Sequence, residues 1–244
     1  MNTCPKCNRE GIYWDGRAKI LLCPWNNCSY VVRNISKWKN KIPTEKEIKS
    51  ILTNNNISKT YLLTDSHFSH TLMQKYCNRP PDFGQRIINQ WQATVGPQDI
   101  VYHLGDVTWG SQGQLQQIMS GLPGTKILVR GNHDRNHSNN WFMKAGFAAV
   151  VEKVQVSGVI LSHFPALMTQ EEIDYGIINI HGHFHNNSPK KWEQRFKDKI
   201  TSNHFLMVLE NVEYRPIDLQ KARKGKFVYN SKKLLESDCD FDIK

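Results

Sequence analysis

The chain has 244 residues, of which 39% are hydrophobic and 22% are charged, a composition typical of a folded protein rather than a disordered one. Its longest apolar runs, such as residues 127–129 and 159–161, have the length of a strand and are far too short to span a membrane. No apolar run of the secretory-signal type follows the first residues, so we expect a cytoplasmic protein that makes no membrane contact.

The formal net charge is +10, and much of the positive charge lies near the start of the chain. Up to residue 42 there are eight lysine or arginine residues but only two acidic ones, Glu10 and Asp15. A basic excess of this kind is typical of proteins that contact a polyanion, often a nucleic acid. An ordinary solvated surface explains the same charge run equally well, so both interpretations stay open.

Four of the six cysteines form two pairs at this basic end. In a chain without an export signal, paired cysteines more often bind metal than form disulfides. Short apolar runs predict three strands here, at residues 12–14, 19–22 and 29–32. The cysteine pattern resembles a zinc ribbon over residues 1–38, which implies one structural zinc ion. The alternative is a set of structural cysteines without a metal. The pairs are Cys4-x2-Cys7 and Cys23-x4-Cys28.

A zinc ribbon can bind nucleic acid or another protein. The aromatic residues Tyr13, Trp14, Trp25 and Tyr30 suit stacking on bases, and the surrounding charge suits a phosphate backbone. The same aromatic side chains could equally form the small core of the ribbon. The partner of this module, nucleic acid or protein, therefore stays open.

A linker over residues 39–58 leads to a larger domain, predicted over residues 59–220, in which strands and helices alternate. Apolar spacing predicts one helix at residues 83–95 and another around residues 115–119. From residue 221 to residue 244 we expect a charged tail that is mobile or lies on the surface. The predicted strands occupy residues 61–63, 100–104, 126–129, 150–156, 159–161 and 177–180, with a hairpin turn at Ser157-Gly158.

Five of these strands end, on their carboxyl side, at Asp, Asn or His residues. In α/β proteins, ligands bind beyond the carboxyl ends of the strands. A hydrophobic core needs apolar strands, but it does not need metal-binding residue types at each of their ends. The strand-end residues are Asp65 and His67, Asp106, the run Asn132-His133-Asp134, His163, and His183 with His185.

Carboxylate, imidazole and amide groups together suit divalent ions such as Mn, Fe, Zn or Ni. Each of the pairs Asp65-x-His67 and His183-x-His185 could turn two ligands towards one ion from a single strand end. Glycine at positions 105, 131 and 182 would let the backbone approach closely, because glycine has no Cβ. The pattern predicts a centre for divalent metal ions.

The order and spacing of these five blocks resemble the calcineurin-like metallophosphoesterase family over about residues 60–219, including the closing segment 211–217. The resemblance implies a four-layer α/β (α+β) fold, in which two mixed β-sheets stack face to face between helices. It also implies two divalent metal ions. One would be held by Asp65, His67, Asp106 and His185, and the other by Asp106, Asn132, His163 and His183, with Asp106 bridging.

The resemblance also implies a mechanism, in which a hydroxide between the two ions attacks phosphorus. His133 would touch the scissile phosphate and protonate the leaving oxygen as a general acid, and Asp134 would orient His133 by a hydrogen bond. A histidine suits this role because its ordinary pKa is about 6.5.

Five further histidines lie outside this set. His103, His137 and His204 are interpreted as ordinary core or surface residues. His181 directly precedes Gly182 and is a candidate supporting residue beside the ligands, and His70 is a candidate contact to the substrate phosphate.

The expected activity is therefore metal-dependent hydrolysis of phosphate esters. The basic module favours a phosphodiesterase that acts on nucleotides or nucleic acid. A phosphomonoesterase would use the same metal centre and general acid. A catalytically inactive nucleic-acid-binding protein is the third alternative, disfavoured because every matching position is occupied.

Overall fold

The computed structural model describes residues 13–15, 20–22 and 59–236. Near the start of the chain, β1 (Tyr13–Asp15) pairs antiparallel with β2 (Ile20–Leu22), so two of the three strands predicted there are present. The third predicted strand, the four paired cysteines and the linker lie outside the described residues.

The first sheet of the main domain is formed mostly by parallel strands. Strands β3 to β6 lie side by side in chain order and are all parallel, and β11 adds an antiparallel edge next to β3. The carboxyl ends of the parallel strands therefore meet at one edge of the sheet. The strands are β3 (Thr60–Leu63), β4 (Ile100–His103), β5 (Thr125–Val129), β6 (Ala149–Val151) and β11 (Ile217–Asp218).

The second sheet is also mixed, with the strand order β12-β10-β9-β8-β7. Strands β8, β9 and β10 are parallel, and antiparallel strands lie at both edges. Its strands are β7 (Lys153–Val156), β8 (Val159–Ser162), β9 (Ile178–His181), β10 (His204–Leu206) and β12 (Tyr229–Asn230).

The chain passes from the first sheet to the second at Glu152. Residues 150–156 were predicted as one strand, but β6 ends at Val151 in the first sheet and β7 begins at Lys153 in the second. The prediction of a single strand was wrong, because apolar alternation does not show to which sheet a strand belongs. The predicted hairpin turn at Ser157-Gly158 is confirmed, since Val156 pairs with Val159.

Eight α-helices lie within the described residues, most of them short. In α2 the apolar Phe83, Ile87 and Trp91 are spaced four residues apart and are buried in the core, as the predicted helix requires. Ser111 begins α3 with a reciprocal capping box to Gln114. The helices are α1 (Met73–Tyr76), α2 (Phe83–Thr94), α3 (Gln112–Ser120), α4 (Asn139–Lys144), α5 (Gln170–Asp174), α6 (Gln194–Lys197), α7 (Leu219–Arg223) and α8 (Ser231–Glu236).

One continuous hydrophobic core joins the two sheets. It includes Leu63 and Val129 from the first sheet, Leu161 and Ile180 from the second, and Trp91 from α2, each completely or almost completely buried. The architecture is therefore the predicted α/β fold, with two mixed sheets flanked by helices. Within the described residues, no helix is long and apolar enough to cross a membrane.

The domain continues beyond residue 220, where the sequence suggested the start of a charged tail. Strand β12 pairs with β10 at the edge of the second sheet, and Leu234 and Leu235 of α8 pack on a smaller cluster that contains Phe184 and Trp192. These apolar contacts anchor residues up to Glu236.

Candidate metal centre and active site

The loops that follow the strands bring the predicted ligands together. Asp65 and His67 follow β3, Asp106 follows β4, and His183 and His185 follow β9. All five have positive φ angles, of 49°, 44°, 56°, 75° and 51° respectively. Residues with side chains rarely adopt this conformation, and such strain is concentrated at functional sites. The surrounding fold therefore holds these side chains in positions that local backbone preference disfavours.

Asp65, His67 and His185 form one potential metal-binding group. One ligand atom from each lies within 4.8 Å of the other two. His185 Nε2 is 3.7 Å from Asp65 Oδ1. Asp65 Oδ1 and both ring nitrogens of His67 are buried, and within the described residues they have no hydrogen-bond partner. Buried polar atoms without partners are costly, so this arrangement fits a cation that would satisfy them.

Asp106, His163 and His183 form a second group of the same kind, with ligand atoms within 4.8 Å of one another. His163 Nε2 lies 3.4 Å from Asp106 Oδ2 and 3.0 Å from Asn132 Oδ1. The same Oδ2 atom of Asp106 is 3.7 Å from His67 Nε2, in the first group. Asp106 therefore lies between the two groups.

Hydrogen bonding orients His163 in the second group. Its Nδ1 donates a proton to the carbonyl oxygen of Leu104 at 2.7 Å, which leaves Nε2 facing Asp106. Burial alone would lower the pKa of His163, but the charge and hydrogen bond of Asp106, with the charge of Asp65, raise it to about 9. A metal ion would compete with this proton for Nε2, so metal binding and protonation are linked here.

His183 differs from His163 in charge. Burial, reinforced by the neighbouring His163, lowers the pKa of His183 to about 3, so its ring is neutral at pH 7. A neutral imidazole is the form that binds a metal ion. The backbone N–H of His183 donates to Asp65 Oδ2 at 3.1 Å, which ties the loop after β9 to the loop after β3.

The buried ion pair of Arg79 and Glu210 contacts His185 at Nδ1, the ring nitrogen that does not face Asp65. His185 Nδ1 lies 3.4 Å from Glu210 Oε1, and Arg79 binds the same oxygen through Nη2 at 2.7 Å. Arg79 also donates to the carbonyl oxygens of Asp65, at 2.8 Å, and Ser66, at 3.2 Å. This one guanidinium therefore contacts both the loop that carries Asp65 and the carboxylate beside His185.

Sequence reasoning missed Arg79 and Glu210 because neither lies at the end of a predicted strand. Arg79 belongs to the loop after α1, and Glu210 lies in the 3-10 helix Leu209–Val212. Cys77, His185 and Glu210 form a third cluster of potential ligand atoms, which shares His185 with the first group.

Asp134 has a different contact from the predicted one. Its Oδ2 accepts the backbone N–H groups of Asp106 and Gly131, both at 2.8 Å, and its Oδ1 accepts that of Val107 at 3.0 Å. Both carboxylate oxygens are thus engaged by backbone, and within the described residues there is no hydrogen bond to His133. Asp134 joins two strand-end loops instead of orienting the imidazole, so that prediction was wrong.

His133 is placed at the edge of the two groups. Its backbone N–H donates to Asp106 Oδ1 at 2.9 Å, and its ring Nε2 lies 3.8 Å from Asp106 Oδ2. The side chain is 41% exposed, and within the described residues its ring makes no hydrogen bond. The ring can therefore reach a group bound above Asp106.

All three predicted glycines allow strand-end loops to touch, and at Gly105 a Cβ would overlap the backbone of Gly131. A Cβ at Gly131 would overlap the carboxylate of Asp106, and a Cβ at Gly182 would overlap Thr64 Oγ1 and the carboxylate of Asp65. The close approach is thus between the backbone and the ligands' own carboxylates, where any side chain would displace a ligand.

The metal-binding groups face a cavity of about 780 Å³. His67, Asp106, His133, His183 and His185 contribute to its lining. His70, the candidate substrate contact, also lines it. Its ring stacks on Trp109 with centroids 4.0 Å apart and planes at 10°. Trp109 in turn lies 4.2 Å from the ring of His133, a contact that nothing in the sequence indicated.

The other histidines lie outside the metal-binding groups. His103 bonds Ser66 Oγ at 2.8 Å, His204 bonds the carbonyl of Ala166, and His137 stacks on Trp141, all in agreement with the prediction. His181, a candidate supporting residue, bonds the carbonyl oxygen of Gly182 at 3.0 Å through Nδ1 and Ser231 Oγ of α8 at 2.9 Å through Nε2.

Comparison with known proteins identifies the class. A model of the calcineurin-like phosphoesterase family matches residues 58–240. An uncharacterized protein of Methanocaldococcus jannaschii is 29% identical over 182 residues, which cover 70% of this chain and 94% of that protein. The gene 66 protein of Mycobacterium phage L5 is 30% identical over 162 residues, which cover 53% of this chain and 78% of that protein.

Among solved structures, a protein of unknown function from Aquifex aeolicus is similar at 25% identity, with a TM-score of 0.49 over 68% of this chain and 98% of that one. The family match covers more than half of the chain. The chain therefore belongs to the calcineurin-like phosphoesterase family. Its domain is that of a metal-dependent phosphoesterase, and its histidine and aspartate groups can hold metal ions.

Proposed function

We propose that this protein is a phosphodiesterase that works with two divalent metal ions. The observation that carries the proposal is the position of Asp106 between two adjacent ligand groups. The ligands of one ion would be Asp65, His67, Asp106 and His185, and those of the other Asp106, Asn132, His163 and His183. When bound, the two ions supply positive charge that stabilises phosphoryl oxygens and lowers the pKa of a nearby water.

The residues around the ions perform the remaining tasks. His133 is exposed to the cavity and its ring is free of hydrogen bonds within the described residues, so it can give a proton to the leaving oxygen. Its N–H bond to Asp106 fixes its backbone relative to the ligands. His70, held by stacking on Trp109, would contact the phosphate.

The size of the cavity favours a diester. A volume of about 780 Å³ accommodates groups on both sides of a phosphate, whereas a small monoester would fill only part of it. The mixed imidazole and carboxylate ligands suit Mn, Fe, Zn or Ni rather than Mg or Ca, which prefer oxygen.

The test is hydrolysis by metal-free protein before and after Mn²⁺ is added. The substrates are bis-p-nitrophenyl phosphate, a diester, and p-nitrophenyl phosphate, a monoester. We expect cleavage that depends on Mn²⁺ and favours the diester. Preference for the monoester would identify a phosphomonoesterase. If neither substrate is cleaved while two ions are bound, a non-catalytic nucleic-acid-binding function becomes the better account.

The N-terminal module carries a separate proposal. We propose that Cys4, Cys7, Cys23 and Cys28 bind one structural zinc ion and that this basic module contacts nucleic acid or a protein partner. Zinc content should fall by one ion per chain in Cys4→Ser, and it should not change in Cys239→Ser.

A further inference from the structure

The cavity in front of the metal groups has an exposed apolar wall. Leu72, Tyr76 and Trp109 all line it, with exposures of 49%, 57% and 47%. Leu72 and Tyr76 are four residues apart in the turn that forms α1, so they lie on one face of it. Large apolar side chains exposed together beside a cavity indicate a surface that a ligand covers.

The apolar wall is organised around a stack of rings. Trp109 and His70 are stacked face to face, and the ring of Tyr76 meets His70 at its edge, with centroids 6.3 Å apart. Because its one ring neighbour in the described residues is His70, the exposed part of Tyr76 is available to a further planar group.

The same cavity carries positive charge. Lys75, next to Tyr76, and Lys191, from the 3-10 helix Pro189–Lys191, both line it and are exposed. In the part of the chain that the structure describes, neither lysine has an acidic partner. Free ammonium groups close to a phosphate-binding centre would attract a ligand with more than one negative charge.

We propose that the cavity contains a nucleoside subsite, in which a base stacks on Tyr76 beside Leu72 and Trp109 while Lys75 and Lys191 face a phosphate next to the scissile one. The inference rests on the proposed phosphodiesterase function and names its substrate class as nucleotide phosphodiesters. An aliphatic diester, such as a lipid headgroup, has no planar ring and would leave the aromatic wall uncovered.

Two diesters with the same leaving group test the subsite. Thymidine 5′-(p-nitrophenyl phosphate) carries a nucleoside, whereas methyl p-nitrophenyl phosphate does not. With the Mn²⁺-loaded full chain, we expect kcat/KM to be about 5- to 150-fold higher for the nucleotide, which is the range that stacking of one base on an aromatic side chain gives. Tyr76→Ala should remove most of this ratio, and Tyr76→Phe should retain it.

The control for Tyr76→Ala is Tyr175→Ala, which removes a still more exposed tyrosine that does not line the cavity. This variant should keep the wild-type ratio. Equal kcat/KM for the two diesters, or a wild-type ratio of the two kcat/KM values in Tyr76→Ala, would refute the nucleoside subsite. The phosphodiesterase proposal would stand in either case. Absence of cleavage of either diester contradicts the phosphodiesterase proposal instead.

A binding measurement tests the proposed nucleoside subsite even if the protein hydrolyses neither diester. By calorimetry, the Mn²⁺-loaded protein should bind thymidine 5′-monophosphate about tenfold more tightly than ribose 5-phosphate, and Tyr76→Ala should abolish the difference. Equal affinities would overturn the subsite.

The lysines are tested with a ligand that carries a second phosphate. Thymidine 3′,5′-bisphosphate should bind more tightly than the monophosphate, and Lys191→Gln should reduce that gain. Lys153→Gln, which removes an exposed lysine on β7, is the control and should keep it. If the second phosphate adds no affinity, the assignment of Lys75 and Lys191 is refuted.

Discussion

The two ring nitrogens of His185 face two different carboxylates. Nε2 lies 3.7 Å from Asp65 Oδ1, among the metal-binding atoms, and Nδ1 lies 3.4 Å from Glu210 Oε1. Glu210 is itself paired with Arg79, whose charge holds the pKa of Glu210 at about 2 in spite of burial, which acts in the opposite direction. A carboxylate that stays ionised can keep the Nδ1 proton in place and leave Nε2 free for a metal ion.

We therefore expect Glu210→Gln to weaken metal binding without removing a ligand. The loss should be about 10- to 100-fold in Mn²⁺ affinity, measured by titration of the metal-free protein. Glu213→Gln, which changes an exposed carboxylate 77% open to solvent, is the matched control. Circular dichroism must show that the variant is folded, because Arg79 loses its charged partner. Unchanged Mn²⁺ affinity in folded Glu210→Gln would refute the supporting role.

Asp106 should be needed for both metal ions. Its Oδ2 atom lies 3.4 Å from His163 Nε2 and 3.7 Å from His67 Nε2, so Asp106→Asn weakens both ligand groups together. We expect the variant to bind less than one ion per chain and to lose turnover, as measured by metal analysis after dialysis. Asp82→Asn, at an exposed position, should retain two ions. Two ions in Asp106→Asn would rule out a bridging carboxylate.

His133 should affect rate more than metal content. In His133→Ala the ligand groups stay complete, but no imidazole remains to protonate the leaving oxygen. The expected loss is about 100- to 10,000-fold in kcat, with two ions still bound. His137→Ala, whose ring stacks on Trp141 away from the ligand groups, is the control and should show wild-type kcat. A wild-type kcat in His133→Ala would exclude the general-acid role.

Gly182 should tolerate no side chain. In Gly182→Ala the Cβ would overlap Thr64 Oγ1 and the carboxylate of Asp65, which must move away from the ligand group. We expect a loss of about 1–3 kcal/mol in the free energy of unfolding, as in overpacked cores, together with weaker Mn²⁺ binding. Gly113→Ala lies in α3 with no atom near the new Cβ, so it should instead stabilise the protein by about 0.5–1 kcal/mol. Equal effects of the two substitutions in urea denaturation would contradict this account.

Acid should destabilise the protein partly through His103. Complete burial lowers the pKa of His103 to about 3, whereas the unfolded chain has the ordinary value of 6.5. Between these values the unfolded state binds more protons, so the contribution of His103 is fully present above pH 6.5 and is lost as the pH falls. In metal-free protein, His103→Gln should reduce the pH dependence of the unfolding free energy by about 1 kcal/mol per unit between pH 6 and 5. Identical slopes in urea denaturation would show that His103 is not buried in its neutral form.

Residue patterns alone were enough to predict the class of fold and the residue types of the candidate centre. Apolar strands and the helical spacing of Phe83, Ile87 and Trp91 are local patterns, so they can be read without knowing which elements are neighbours. The Asp and His residues after the strands were identifiable for the same reason, since parallel strands bring their carboxyl ends to one edge.

The groups that support that centre became visible only in the folded chain. Arg79 and Glu210 meet across 131 residues of chain, and Trp109 stacks on His70 from a separate loop. Asp134 looked like a partner of its neighbour His133, yet its oxygens satisfy backbone N–H groups of two loops. Such contacts form because buried donors and acceptors need hydrogen-bond partners in the folded chain. The periodicity of the local sequence does not predict which distant donor pairs with which acceptor.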